Sequence, residues 1–159
     1  MLKATYFPVI FLAALSYKSP NEIGRYYKEK LQKIDTSQYA VVKYDDRYKI
    51  FNNATPATIS TDEIDTLLNL LYEGISKYNN SIKKNELMIR KLHQYKIQLV
   101  PVLNIRGEKE IWVNGLCEER DNAWKHQIIY VFDGGNCYFN AKINLTTKKV
   151  YEIGIHGFA

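Results

Sequence analysis

The stretch Cys137-Tyr138-Phe139-Asn140-Ala141-Lys142-Ile143-Asn144-Leu145 decides the fold. Cys137, Phe139, Ala141, Ile143 and Leu145 fall on one side of an extended chain, and Tyr138, Asn140, Lys142 and Asn144 on the other. Successive side chains of a strand point to opposite faces, so the alternation reads as an antiparallel strand with one dry and one wet face. The block around it runs from Trp124 to Ala159. Trp124 to Phe132 reads as an apolar arm before it, and Val150 to His156 as a last apolar run after Thr146-Thr147-Lys148-Lys149. Asp133-Gly134-Gly135-Asn136 between the first two arms admits a two-residue hairpin turn or a bulge in one long strand, and the hairpin is preferred.

Outward from this block, Tyr95 to Ile105 and Glu110 to Cys117 read as two further strands turned at Arg106-Gly107-Glu108-Lys109. Pro101 has no N–H to give to a ladder, which places the first of them at a sheet edge or puts a bulge there. Asn85 to His93 fits either a helix extension or a short strand. Before it lies the clearest helix. Ser60 and Glu63 have the spacing of a capping box, Ile59 and Ile64 that of a hydrophobic staple, and Asp62, Glu63 and Asp65 set negative charge at the positive end of the helix dipole. Ile64, Leu67, Leu68, Leu71, Ile75 and Tyr78 make one apolar face, and Asn79-Asn80 ends the helix. Tyr39 to Phe51 reads as a strand whose charged middle suggests a turn or an exposed edge, and Asn52 to Thr58 as loop. The fold class is therefore α+β: one long amphipathic helix packed on a curved antiparallel sheet of four to six strands.

A chain of 159 residues has room for one core. The net charge of +5 comes from lysines and arginines spread along the sequence, which argues for a solvated surface and against nucleic acid as a partner. At the start, Lys3 precedes an uncharged apolar run from Ala4 to Leu15, followed by Ala14-Leu15-Ser16 and a polar Tyr17-Lys18-Ser19-Pro20. This has the form of a secretory signal, residues 1–16, cleaved after Ser16. Residues 17–38 then form an N-terminal segment with a short helix carrying Ile23, Tyr27, Leu31 and Ile34, and residues 39–159 a single α+β domain. The run is too short to span a bilayer, so the mature chain is expected to be exported, periplasmic or secreted, with no transmembrane span; a buried strand of a cytoplasmic protein is the alternative.

Trp112-Val113-Asn114, Asp133-Gly134-Gly135-Asn136-Cys137-Tyr138-Phe139, Ile143-Asn144-Leu145-Thr146-Thr147-Lys148-Lys149 and Gly157-Phe158-Ala159 resemble small exported bacterial proteins without an assigned activity. That resemblance covers roughly residues 94–159. The arrangement is also similar to the cystatin-like and NTF2-like architectures, in which a bent antiparallel sheet curls around one helix. The Gln-x-Val-x-Gly motif of cystatins does not occur in the chain.

Cys117 and Cys137 are the only cysteines, and in an exported protein an even count invites a disulfide; two buried free thiols are the other reading. If the strand ending at Cys117 folds back through Glu118–Lys125, Cys117 faces His126 instead. A Cys117–His126 nucleophile and base would need an orienting group and a lowered thiol pKa, neither of which is visible. His93, His126 and His156 lack metal-ligand spacing, and the Asp133-Gly134-Gly135 glycines lack the pattern of a phosphate loop. No catalytic, cofactor-binding or metal-binding residue is assigned, and no cofactor is expected. Trp112, Trp124, Tyr130 and Tyr138 read as an aromatic platform, and Trp112, Trp124, Tyr138, Asn140 and Lys142 form the candidate binding face, on the open side of the sheet; the competing reading makes the tryptophans core plugs. The expected function is a non-catalytic exported domain that binds a ligand or another protein on that face. The alternative is a small NTF2-like enzyme or ligand-cavity protein.

Overall fold

The capping box at Ser60 forms as the sequence requires. The Ser60 amide donates to the Glu63 carboxylate at 2.8 Å and the Glu63 amide to the Ser60 hydroxyl at 3.3 Å. These bonds open helix α1, Thr61–Ser81, in a computed structural model that describes residues 36–117 and 121–157. The expected signal sequence, the helix at Ile23–Ile34 and the closing Phe158-Ala159 lie outside the described residues. α1 ends at Ser81, one residue past the expected Asn79-Asn80. The Asn79 side chain also clamps the segment that follows, donating to the Ile89 carbonyl at 2.8 Å and accepting from the Ile89 amide at 2.9 Å. Residues 85–93 are thereby neither helix extension nor strand, but a run with short 3-10 turns at Asn85–Leu87 and, just beyond, Leu92–Gln94.

Among the described residues the sheet has six strands: β1 (Tyr39–Val41), β2 (Thr55–Pro56), β3 (Lys96–Leu103), β4 (Lys109–Leu116), β5 (Tyr138–Asn144) and β6 (Lys149–Ile155). Its order is β1-β3-β4-β5-β6, with β2 also pairing with β3. From β3 to β6 every pair is antiparallel, but β1 runs parallel to β3, so the sheet is mixed rather than wholly antiparallel. Three expectations change here. Tyr39–Phe51 is not one strand: it leaves the sheet after Val41 and turns at Asp46–Tyr48. Trp124–Phe132 is not a strand either, so Gly134-Gly135 makes neither hairpin nor bulge. Gly134 and Gly135, at φ of 112° and 55°, lead into a 3-10 turn that delivers the chain to β5. Finally, β3 lies inside the sheet. Pro101 directs its backbone to the flank where β1 stops and β2 starts, and its carbonyl accepts from Ala57 at 3.0 Å. Its missing N–H is tolerated because the partner on that flank is interrupted.

Two clusters fill the two faces. On one, Ile64, Leu67, Leu68, Leu71 and Ile75 of α1 meet Ile97, Leu99, Ile111, Val113, Phe139, Ala141 and Ile143, with α1 lying over β5 and β6. On the other, Val100, Val102 and Trp112 are roofed by Val42, Tyr44, Ile50, Phe51 and Ile128. No helix among the described residues is long and apolar enough to cross a membrane.

Candidate functional site

The second face is closed over β3 and β4 and open only toward β5 and β6. Trp112 and Trp124 are buried, at 4% and 2% exposure, and cannot form an exposed platform. The physical reason is the roof: residues 42–51 cover Trp112, while the Lys96 and Lys125 ammonium groups sit 5.7 and 5.6 Å from the Trp124 ring centre. The apolar run of β3 carried this signal, since a strand without alternation is one buried on both faces.

The roof is fastened by a row of amides. Gln98, Asn114 and Asn140 occupy one register line across β3, β4 and β5, which ends on β6 at Gly154. Gln98 Nε2 donates to the carbonyls of Trp124 and Gln127 at 2.6 and 2.7 Å, and its Oε1 accepts from the Ile129 amide at 3.0 Å. Asn114 Nδ2 donates to Gln98 Oε1 at 2.9 Å and to the Ile129 carbonyl at 2.7 Å. Asn140 Nδ2 donates to Asn114 Oδ1 at 2.8 Å, and Asn140 Oδ1 lies 2.8 Å from His156 Nε2. Gln98 and Asn114 are fully buried; Asn140 and His156 are half-buried. Paired in this way, buried amides cost little and fix one position for the segment they hold.

The strap so fastened continues past Ile129 to Asp133, which forms a parallel bridge with Gly157. That bridge brings the strap, Phe132 included, to the end of β6, where His156 precedes Gly157. Rings gather on both sides of the bridge, and together they make an arc. Tyr48 stacks on Tyr130 with centroids 6.4 Å apart, Tyr130 meets Phe132 edge-on at 5.2 Å, and on the far side His156 lies 6.0 Å from Tyr138. Phe132 is 79% and Tyr130 50% exposed, whereas rings of this size ordinarily find cover. Of the five residues expected on the binding face, Tyr138 and Asn140 belong to this arc. Lys142 is drawn away by an ion pair with Glu152 at 2.9 Å and by the Phe51 ring. Tyr48, Phe132 and His156 were missed: Tyr48 meets Tyr130 only where the two parts of the roof fold together, and His156 reaches Tyr138 only through the continuation of the β5–β6 pairing.

Cys117 and Cys137 are joined in a disulfide with Cα atoms 5.1 Å apart, and the Cys117 amide donates to the Cys137 carbonyl at 2.9 Å. The β4–β5 register continues straight into this pair, so Cys117 does not face His126. Next to it, Arg90 donates to Asn136 Oδ1 from Nε and Nη2 at 3.2 and 3.1 Å, and the Tyr95 hydroxyl donates to the Asn136 carbonyl at 2.6 Å. Burial pushes the Tyr95 phenol up from its ordinary pKa, which keeps it a donor. At the other end of β4, Glu108 accepts from Arg106, Asn104 and Asn144 at 2.7, 2.9 and 2.9 Å. Those donors hold its carboxyl down at about 2. Among the described residues, no group of His, Cys, Asp and Glu is arranged to hold a metal ion. No family model, curated protein or solved structure matches the chain.

Proposed function

We propose that the protein is a non-catalytic binding domain whose contact surface is the arc Tyr48–Tyr130–Phe132 with Tyr138 and His156. The observation that carries this reading is the exposure of Phe132 and Tyr130 on a segment pinned by buried amides. Rigid, exposed aromatic rings supply large contact area with little ordering cost, which is the composition of the centre of a protein-binding surface. An enzyme of the NTF2-like sort would be favoured by a histidine within hydrogen-bond reach of a carboxylate in a pocket. His156 faces the Asn140 amide instead. The disulfide supports an oxidising, exported location. One helix laid on a largely antiparallel sheet supports a place beside the cystatin-like and NTF2-like architectures, from which the parallel β1 departs.

A thermal-shift screen with small aromatic compounds and peptides tests the site. Compounds that raise the melting temperature of the wild type should lose that effect on Phe132→Ala. Stabilisation that is equal in both proteins would place binding elsewhere.

A further inference from the structure

The amide row has a direction, and that direction ends on His156. The carbonyls of Trp124 and Gln127 can only accept, so the Gln98 atom facing both must be the NH2 group; the Ile129 amide can only donate, so the atom facing it must be Oε1. Asn114 faces Gln98 Oε1 and the Ile129 carbonyl with the same end, so that end is its NH2 and the other is its oxygen. Asn140 presents one end to Asn114 Oδ1 and the Phe139 carbonyl at 3.1 Å, which again makes that end the NH2. Its oxygen is left for His156 Nε2 at 2.8 Å, and an oxygen acceptor demands a proton there. Backbone groups thus fix every amide, and no orientation is left to choice.

We infer that neutral His156 is locked as the Nε2–H tautomer and that its bare Nδ1 is a nitrogen acceptor offered to a ligand beside the Tyr138 ring. It reads a ligand ring that carries one N–H or O–H donor, as the indole or phenol side chain of a partner protein does. Lys142 on that face is already paired to Glu152 rather than held ready for an anion, which favours an uncharged apolar occupant. Tyr138, its ring 6.0 Å from that of His156, and Phe132, on the strap that bridges to Gly157, supply the faces against which such a ring lies. This rests on the arc being the binding surface, and the two ideas fail in different ways.

The first measurement needs no ligand. Long-range proton–nitrogen correlation spectra of the 15N-labelled protein at roughly pH 8, above the ordinary imidazole range, should show His156 protonated at Nε2 alone. Asn140→Ala should turn that pattern into a tautomer mixture. Protonation at Nδ1, or a mixture in the wild type, overturns the lock. The second measurement titrates indole against 1-methylindole, which keeps the ring and lacks the donor. Indole should bind about fivefold more tightly, the effect of one hydrogen bond, and the preference should vanish in His156→Ala. Equal binding of both at the Phe132 and Tyr130 resonances overturns the acceptor role and leaves the arc as a binding surface. Binding of neither overturns both.

Discussion

Gly115 of β4 lies directly beneath the ring of Phe139 on β5, its register partner, and a Cβ at 115 would overlap the ring, coming within 2.7 Å of Cζ. The ring in turn meets Tyr95 edge-on, with centroids 4.9 Å apart, inside the cluster under α1. Phe139 has no room to step back. Gly115→Ala should therefore destabilise by about 1–3 kcal/mol, the usual result of overfilling a close-packed core. Denaturant unfolding measures it, and the double variant Gly115→Ala/Phe139→Leu should recover part of the loss.

The Cys117–Cys137 disulfide encloses the residues that carry the strap, with a sequence separation of 20. Replacing both cysteines with alanine should lower stability by about 3 kcal/mol through the freed denatured chain. Because Cys117 and Cys137 also continue the β4–β5 backbone pairing, the folded structure should survive. Urea unfolding of the variant, with spectra of the native baseline, checks both parts.

Glu108 makes the stability sensitive to acid. Its carboxyl ionises near 2 rather than 4.5, held down first by Arg106 and then by Asn104 and Asn144. A depressed folded-state pKa contributes stability that is present above 4.5 and lost as pH falls toward about 2. Glu63 acts in the same direction through Lys109, which donates to it at 2.6 Å. In Glu108→Gln the fall in melting temperature between those pH values should be shallower than in the wild type.

Gln98 serves three backbone groups of the roof at once: the Trp124 and Gln127 carbonyls and the Ile129 amide. Gln98→Ala strands all three over a dry face, at about 1–3 kcal/mol for each group that water cannot reach. The expected sign is a loss of hydrogen-exchange protection at the Ile129 amide well before the amides of β4 open. Unchanged protection there would mean that the strap is held without the amide row.

The sequence made some of this legible and hid the rest for definite reasons. The capping box, the leucine face of α1 and the alternation of β5 are local patterns, set by residues a few positions apart, and they reappear in the structure with their expected roles. The strap misled because Ile128-Ile129-Tyr130-Val131-Phe132 has the composition of a strand. Its backbone partners are side chains, Gln98 and Asn114, rather than a neighbouring strand, and no local pattern distinguishes the two. The site depended on pairings between distant residues: Gln98, Asn114, Asn140 and Gly154 share one line only once the register of four strands is known. By contrast, Ile97 to Val102 could have been read as buried on both faces, which would have withdrawn Trp112 from the surface.

The gap at Pro101 has a bearing on how the chain avoids mistaken partnerships. Any segment that tried to run unbroken along that flank of β3 would arrive at a ring where it expected a donor, so neither Tyr39–Val41 nor Thr55–Pro56 can creep into the other's berth. One imino acid thus acts as a partition, and the opposite senses of the two short ribbons on either side of it are kept apart by covalent chemistry rather than by the strength of their contacts.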